Sequence, residues 1–381
     1  MTQKVYLGDI CDIKIGRTPP RRQPQWFNKS RGVRWVSIKD MGNAGKYISQ
    51  TSEFLAADAI RKFNIPIIPA GTLLMSFKLT VGRLGFAEYD MCSNEAIAQL
   101  PIKDVNAADK DYLYYYLSNF NFDSLSSTSS IATAVNSKTV KNIPIDLPPL
   151  DQQKKIADIL SSLDEKIELN RRMNETLEQF GQALFRHCFV DNPEMKSWDK
   201  KPLDEIANFL NGLAMQKYPK INGQRTLPVI KIREMSSGIT DSTDIASANI
   251  PEEYIVHDGD LLFSWSGTLL VKFWSGGDGA LNQHLFKVTS DKYPEWLYYY
   301  WTKYYLDQFI SIAKSKATTM GHIQRKHLKQ AEVIIPPNIE EMTSEFTSII
   351  GQIKTNLFET NSLVNIRDSL LPKLISGEIE V

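Results

Sequence analysis

The sequence predicts an α+β protein in which two similar globular domains are joined by two long antiparallel helices of coiled-coil type. Three observations predict this fold class: a series of motifs that occurs twice, mixed strand and helix patterns within each copy, and an apolar stripe of helical spacing after each copy. With 381 residues the chain exceeds the usual size of a single core, which favours more than one domain.

The internal repeat rests on five motifs that recur in the same order, each 184 to 196 residues after its first occurrence. Drifts of this size correspond to loop insertions, so we expect one fold used twice, related by a pseudo-twofold axis. The matching segments are 7–10 with 203–206, 38–41 with 232–235, 71–77 with 259–265, 111–116 with 295–300, and 147–149 with 335–337.

Within each copy the apolar patterns change from strand-like to helical. Residues 33–38 and 229–232 have strand-like patterns, and Gly71 and Gly259 each open an apolar run after a turn. The aromatic segments 112–117 and 296–301 are expected to form buried helices, with their rings in the core and not stacked on bases.

A long helix is predicted after each pair of prolines. The first spans about residues 152–188, roughly 55 Å at 1.5 Å per residue, with Asp151 as its cap. Its stripe shifts phase near Asn170, and Pro372 is expected to end the second helix near residue 370. The expected domains are therefore 1–149, a helix in 150–190, 191–337, and a helix and tail in 338–381.

Two arrangements bury these stripes. The two helices pack on each other antiparallel with a domain at each end, or each helix folds back on its own domain. In the first arrangement, a rod of this length would let two domains contact grooves on one side of a DNA duplex, where one helical turn is about 34 Å. Because the domains differ through most of their sequence, the two half-sites should differ as well.

Composition narrows the class of protein. Lys and Arg number 44, as do Asp and Glu, although residues 1–149 contain 18 basic against 13 acidic residues. The sequence contains no apolar run that predicts a signal peptide or a membrane span, so we expect a cytoplasmic protein that makes no membrane contact. Three distant cysteines favour neither a disulfide framework nor a zinc site.

One segment resembles a known family. Residues 147–160, Leu-Pro-Pro-Leu-Asp-Gln-Gln-Lys-Lys-Ile-Ala-Asp-Ile-Leu, resemble the central conserved region of the specificity subunit of type I restriction-modification enzymes. The second copy departs from it, with Asn-Ile-Glu-Glu at 338–341. The resemblance implies two target recognition domains that bind a bipartite, asymmetric site in double-stranded DNA. It also implies helices that dock two methyltransferase subunits, which bind S-adenosylmethionine, and two ATP-dependent restriction subunits.

No nucleotide-binding, zinc-protease or amino-methyltransferase motif is found, and Ser311 lacks the companion motifs of an SxxK nucleophile. We therefore expect a DNA-recognition subunit with no catalytic residues, cofactor or metal of its own. Two alternatives stay open: a two-domain helical scaffold without a DNA role, and a fused methylating or cleaving enzyme with an unrecognised motif. A basic concave surface on both domains would distinguish a DNA reader from a scaffold.

Candidate DNA-contacting residues are polar or basic residues in predicted loops, because base edges are commonly read by Arg, Lys, Asn and Gln. They are Arg17, Thr18, Arg21, Arg22, Lys39, Lys78, Arg83, Asn94, Lys231, Arg233, Lys272, Asn282 and Gln283. Candidate docking residues follow the helix stripes: Ile156, Leu160, Leu163, Ile167, Met173, Leu177, Phe346, Ile349, Ile353 and Leu357.

Overall fold

Each long helix is shared between two units of the chain. The computed structural model describes residues 2–125, 136–315 and 321–381. Unit 1 comprises Met1–Glu165 and Val364–Val381, and unit 2 comprises Lys166–Leu363, so each unit contains a globular part and one end of both helices.

Unit 1 is a mixed α and β structure with three sheets among its described residues. The elements are β1 Gln3–Tyr6, α1 Leu7–Ile10, β2 Lys14–Ile15, β3 Phe27–Asn28, β4 Val33–Val36, α2 Ile38–Asn43, β5 Tyr47–Ile48, β6 Glu53–Leu55, α3 Ala57–Lys62, β7 Leu73–Ser76, β8 Leu84–Ala87, β9 Met91–Ser93, β10 Ile97–Gln99, α4 Lys110–Ser118, α5 Ser137–Lys141, β11 Pro144–Leu147 and α6 Leu150–Phe189. The strand orders of the three sheets are β1-β11, β2-β10-β7-β8-β5 and β3-β6-β4-β9.

Unit 2 repeats this plan. The elements are β12 Asp199–Pro202, α7 Leu203–Ile206, β13 Asn208–Asn211, β14 Thr226–Ile230, α8 Ile232–Ser237, β15 Ile245–Ser247, β16 Ile255–Val256, β17 Leu261–Ser264, β18 Val271–Phe273, β19 Gly279–Leu281, β20 Leu285–Thr289, α9 Glu295–Ser315, α10 Arg325–Gln330, β21 Glu332–Ile335 and α11 Ile339–Ser376. The described sheets of unit 2 have the strand orders β12-β21, β13-β20-β17-β18 and β15-β14-β19-β16.

Matching strand pairs confirm the internal repeat. The first strand of each unit pairs antiparallel with the strand that precedes its long helix, β1 with β11 and β12 with β21. A parallel pair is also repeated in the corresponding place, β4 with β9 and β14 with β19. Both strands end two residues earlier than predicted, at Val36 and Ile230, since Ile38 and Ile232 already begin α2 and α8.

The prediction that the aromatic segments form buried helices is confirmed. Tyr112 and Tyr115 of α4 are about 1% exposed, as are Trp296 and Tyr299 of α9. In unit 1 these rings share a core with Ile156 and Leu160 of α6. The aromatic side chains therefore attach the globular part to the helices and face away from any solvent-side ligand.

The start of α6 differs from the prediction in one detail. The helix begins at Leu150, so Asp151 lies in its first turn and does not cap it. The fully buried Gln153 fastens this end instead: its amide donates to the carbonyls of Pro148 (2.7 Å) and Ala107 (3.1 Å), and its oxygen accepts from the Asp109 amide. The second glutamine of the Pro-Pro-Leu-Asp-Gln-Gln motif therefore connects the start of α6 to the globular part of unit 1 by hydrogen bonds.

The predicted end of α11 near residue 370 is wrong, because the helix continues through Pro372 to Ser376. A proline inside a helix loses one backbone hydrogen bond and strains the preceding turn. Here only one turn follows it, and Leu370, Leu371, Leu374 and Ile375 pack against the core of unit 1. Burial of these side chains offsets the local loss.

The two helices contact each other within each unit, as predicted. In unit 2 the buried Asn356 amide donates to the Asn174 oxygen at 2.8 Å, and the buried Asn170 amide donates to Glu359 at 2.8 Å. As residue numbers fall along α6 they rise along α11, which is the antiparallel sense. Asn170, where the apolar stripe shifts phase, thus belongs to a polar layer, a feature that fixes register in helix pairs.

Candidate nucleic-acid interface

Three loops that are distant in the sequence of unit 1 lie together. The Arg17 amide donates to the Ser93 carbonyl at 2.9 Å, and the Phe77 amide donates to the Ala96 carbonyl at 2.9 Å. We call the loops 16–22, 77–82 and 94–96, with the start of α2 and the adjoining Arg83, loop cluster 1. It unites the predicted DNA-contacting residues of unit 1, from Arg17 to Asn94.

Two small residues shape loop cluster 1. The Asn94 amide donates to the Val36 carbonyl at 3.1 Å, and its side-chain oxygen accepts from the Ala96 amide at 3.0 Å. At Gly16 a Cβ atom would lie 2.2 Å from the Ser93 carbonyl oxygen, so only glycine fits. The Asn94 side-chain oxygen therefore holds the turn, and contact of Asn94 with DNA stays a prediction.

The basic residues of loop cluster 1 divide into those that bond another described residue and those that do not. Arg83 donates to the Ile38 carbonyl at 2.7 Å, and Arg17 donates to the Phe63 carbonyl at 3.2 Å. Arg21 forms a 2.8 Å ion pair with Glu53 while lying 4.2 Å from the Phe27 ring centroid. The remaining three, Arg22, Lys39 and Lys78, are exposed and make no hydrogen bond or ion pair with any described residue.

Sequence reasoning missed Glu95, an exposed acid in the same cluster. Partial burial works to raise the pKa of Glu95, but the Thr18 hydroxyl, which donates to Oε2, and the charges of Lys78 and Arg21 hold this pKa below its ordinary value. The carboxylate is therefore ionised, and Thr18 is its one side-chain hydrogen-bond donor among the described residues. A search for basic residues could not have selected Glu95, because the one feature of the sequence that marks it is its position next to Asn94.

The tip of the 77–82 loop presents a second unexpected residue. Leu79 is 95% exposed and has a φ of 64°, which a leucine adopts only at a cost in free energy. The loop is held at its base by Ser76, whose hydroxyl donates to the Thr80 carbonyl and accepts from the Arg83 amide. The strained apolar tip is thus supported by a regular scaffold.

Unit 2 has a corresponding arrangement, loop cluster 2, formed by residues 212–214, 265–269 and 282–284. The Leu213 amide donates to Leu281 (3.0 Å), and the Asn282 amide donates to Ile230 (3.2 Å). Ser264 holds the hairpin loop as Ser76 does, donating to the Thr268 carbonyl at 2.5 Å. Like Asn94, the buried Asn282 is occupied by the turn, since its side chain accepts from the His284 amide.

The side chains of loop cluster 2 are aromatic and polar, where those of loop cluster 1 are mainly basic. The Trp265 and His284 ring centroids are 5.7 Å apart, and the Trp265 indole donates to Asn211 at 2.8 Å. The Ser266 hydroxyl lies 3.1 Å from His284 Nδ1, and the Gln283 amide lies 3.5 Å from His284 Nε2. Of these five residues, sequence reasoning selected only Gln283.

Three predicted DNA-contacting residues of unit 2 have partners within the chain. Lys231 pairs with Asp244, and Arg233 bonds Glu234 at 2.7 Å and the Ser242 carbonyl at 2.8 Å. Lys272 donates to the Met235 carbonyl at 3.1 Å, and burial lowers its pKa. These donors hold α8 and its following loop, so all three have a role in the fold, and their contact with DNA stays a prediction.

The helix stripes are largely occupied inside the chain. Ile156 and Leu160 are buried in the core of unit 1, and Phe346, Ile349 and Ile353 are buried in that of unit 2. A buried side chain cannot also face another protein, so we assign these five a packing role. Among the other candidates Met173 is 36% exposed, while Leu163, Ile167, Leu177 and Leu357 are half-buried. Further apolar side chains exposed on the helices are Ile159, Leu169, Phe180, Phe358 and Ile366.

Comparison with protein families decides the identity of the fold. The model for the type I restriction modification DNA specificity domain matches twice, at residues 2–179 and 195–367. The chain belongs to the type I restriction-modification DNA specificity family. This confirms the resemblance predicted from the sequence, and the double match agrees with the internal repeat.

Members of this family similar to the chain include the MjaIX specificity subunit of Methanocaldococcus jannaschii. It is 24% identical over 98% of this chain and 93% of its own length. The EcoKI specificity subunit of Escherichia coli strain K12 is 24% identical over 69% of this chain and 65% of its own length. These relatives are DNA-recognition subunits and not catalytic enzymes, as expected for this specificity subunit.

A solved structure shares the fold. The S subunit of a type I restriction-modification system from M. genitalium has a TM-score of 0.57 and 15% identity, over 98% of this chain and 96% of that chain. In the part of this chain that the structure describes, no helix is long and apolar enough to cross a membrane.

Proposed function

We propose that this specificity subunit binds a bipartite, asymmetric site in double-stranded DNA, with loop cluster 1 and loop cluster 2 each contacting one half-site. The observation that carries the proposal is the repetition of one loop framework with unequal side chains. Both frameworks use a glycine in close backbone contact, an asparagine-held turn and a serine-held hairpin. A shared framework with different contact residues suits two related but distinct DNA sequences.

The contacts in the two clusters suit different parts of DNA recognition. Exposed Arg22, Lys39 and Lys78 can neutralise phosphates, a contact that positions the protein without selecting sequence. Gln283 and His284 offer hydrogen-bonding groups that can meet base edges. We therefore expect loop cluster 1 to contribute more of the salt-dependent affinity.

Methyltransferase docking is the second part of the proposal. Exposed apolar side chains on α6 and α11, among them Phe180 at 57% and Leu169 at 52%, offer contact surface that the buried stripe does not. In the cytoplasm, two methyltransferase subunits that bind S-adenosylmethionine would dock here, and two ATP-dependent restriction subunits would join them. The chain would then select the sequence on which these partners act.

Methylation mapping tests the proposal. The chain is expressed with its methyltransferase subunits in a host that lacks other DNA methylation, and methylated positions are read by sequencing. We expect one split, asymmetric motif that disappears when this chain is omitted. A continuous motif, or one that persists without the chain, would contradict the proposal.

A further inference from the structure

Glu95 and Gln283 occupy equivalent places in the two units. Each follows an asparagine, Asn94 or Asn282, whose backbone amide bonds a strand carbonyl, of Val36 or Ile230, at 3.1 or 3.2 Å. The side-chain oxygen of each asparagine also accepts the amide two residues on, at 3.0 Å in unit 1 and 3.3 Å in unit 2. The backbone therefore directs both residues from the same position of the same turn.

The surroundings of Glu95 require an explanation, because a carboxylate on a DNA-binding surface repels phosphates. Among the described residues Thr18 is the one side chain that donates to the exposed carboxylate, at Oε2. Lys78 and Arg21 provide positive charge beside it, so the group stays ionised. An ionised carboxylate offers acceptors only, and its useful partner in DNA is a base amino group.

The donors and acceptors that each base presents in the major groove determine which base suits a carboxylate and which suits an amide. In the major groove guanine and the thymine oxygen present acceptors, which repel a carboxylate, and adenine places its N7 acceptor beside its amino group. Cytosine presents an amino donor with no acceptor next to it on the same base. An amide such as Gln283 has both a donor and an acceptor, and so matches the adenine N6 and N7 pair.

We propose that Glu95 and Gln283 are equivalent base-reading residues, Glu95 selecting a cytosine in one half-site and Gln283 an adenine in the other. This inference rests on the proposed function, since it needs two half-sites read by the two loop clusters. At this position the two half-sites would differ because the shared turn carries a carboxylate, Glu95, in unit 1 and an amide, Gln283, in unit 2.

The test uses the chain with its methyltransferase subunits and compares Glu95→Gln with Gln283→Glu. Wild type should methylate a split motif with a cytosine in one half-site and an adenine in the other. Glu95→Gln should shift the cytosine position toward adenine, and Gln283→Glu should shift the adenine position of the other half-site toward cytosine. In duplex binding, wild type should prefer cytosine at the first position by about 10- to 100-fold, a preference that Glu95→Gln loses or reverses.

Asp58→Asn is the matched control, because it removes one negative charge from an exposed helix of unit 1 and should leave the motif unchanged. An unchanged thermal midpoint of Glu95→Gln would show that the fold is kept. If methylation by Glu95→Gln is too weak to map, binding to duplexes with each of the four bases decides the question. An unchanged base ranking, or both exchanges altering the same half-site, would overturn the assignment. A wild-type chain with no split motif would instead refute the proposed function itself.

Discussion

Arg367 donates to Asp164 across the helix pair of unit 1, with 2.8 Å between Nη1 and Oδ1. The other Asp164 oxygen accepts from the Tyr115 hydroxyl of α4 at 2.5 Å. One largely buried carboxylate therefore connects α6, α11 and the globular part of unit 1. Lys46 extends the network, since it bonds Ser161 at 2.9 Å and pairs with Asp111 at 3.0 Å.

Replacing Arg367 with Ala should destabilise unit 1 by about 2 kcal/mol, because Asp164 would keep its charge in a largely buried place without its cation. Chemical denaturation measures the change in free energy of unfolding. Arg171→Ala is the control: Arg171 is 57% exposed and pairs within its own helix, so its loss should cost under about 0.5 kcal/mol. Equal costs for the two variants would contradict a central role for Asp164.

Replacing Lys39 with Ala should weaken DNA binding and reduce the slope of log affinity against log salt by about one, as expected for the loss of one phosphate contact. Thermal stability should not change, since Lys39 has no described partner. Lys141→Ala, another exposed lysine of unit 1, should leave the slope as it is. A Lys39→Ala slope equal to that of wild type would rule the contact out.

Leu79→Gly should raise the free energy of unfolding by about 1 kcal/mol, because glycine adopts a φ of 64° without the clash of a Cβ atom. If the exposed tip touches DNA, the same variant binds DNA more weakly although it is more stable. Thr80→Gly is the control, since Thr80 does not have a positive φ and the change should lower stability. A Leu79→Gly protein with undiminished affinity would show that the tip does not contact DNA.

Glu234 should make unit 2 sensitive to acid. Burial works to raise the pKa of Glu234, but hydrogen bonds from Arg233 and from backbone amides, with the charge of Arg233, hold this pKa below its ordinary value. The unfolded chain therefore takes up this proton more readily, so the stabilisation is present above the unfolded pKa of about 4.3 and is lost as pH falls. Glu234→Gln should be less stable at pH 7 but lose less stability between about pH 5 and pH 3.

Stability measured across this pH range for wild type, Glu234→Gln and Glu253→Gln tests the effect. Glu253 is exposed and should keep the wild-type pH dependence when replaced. Parallel curves for wild type and Glu234→Gln would contradict the assigned pKa shift.

The long helices should set the spacer between half-sites. Because α6 runs without a break from unit 1 into unit 2, adding seven residues after Glu165 lengthens it by about 10 Å. Seven residues are also added after Leu363, so that α11 is lengthened by the same amount as α6. We expect the methylated motif to keep both half-sites and gain a spacer longer by about three base pairs. An insertion of the same length in the exposed 103–106 segment should leave the spacer unchanged. An unaltered spacer in the helix variant would contradict this role.

The sequence predicted the elements whose signal is local or periodic. The two long helices follow from apolar spacing over some forty residues, and the strands at Leu73 and Leu261 follow from a glycine turn before an apolar run. Continuation of α11 past Pro372 was not predicted, because it depends on the packing of Leu374 and its neighbours in a core built by other segments. The basic residues of loop cluster 1 were selected one by one, but Glu95, Leu79 and the surface they form together were not predicted, since nothing local brings residue 17 to residue 93.

The sequence by itself determined the repeated α+β unit, the two long helices and the family of the protein, because repeats and apolar periodicity are properties of the order of residues. Only the tertiary structure decided which polar groups are free. Lys39 and Arg233 match in the repeat and both are exposed, yet Arg233 bonds Glu234 and Ser242 whereas Lys39 bonds no described residue. A hydrogen bond depends on which distant atoms meet in space, and the order of residues along one strand or loop does not contain that information.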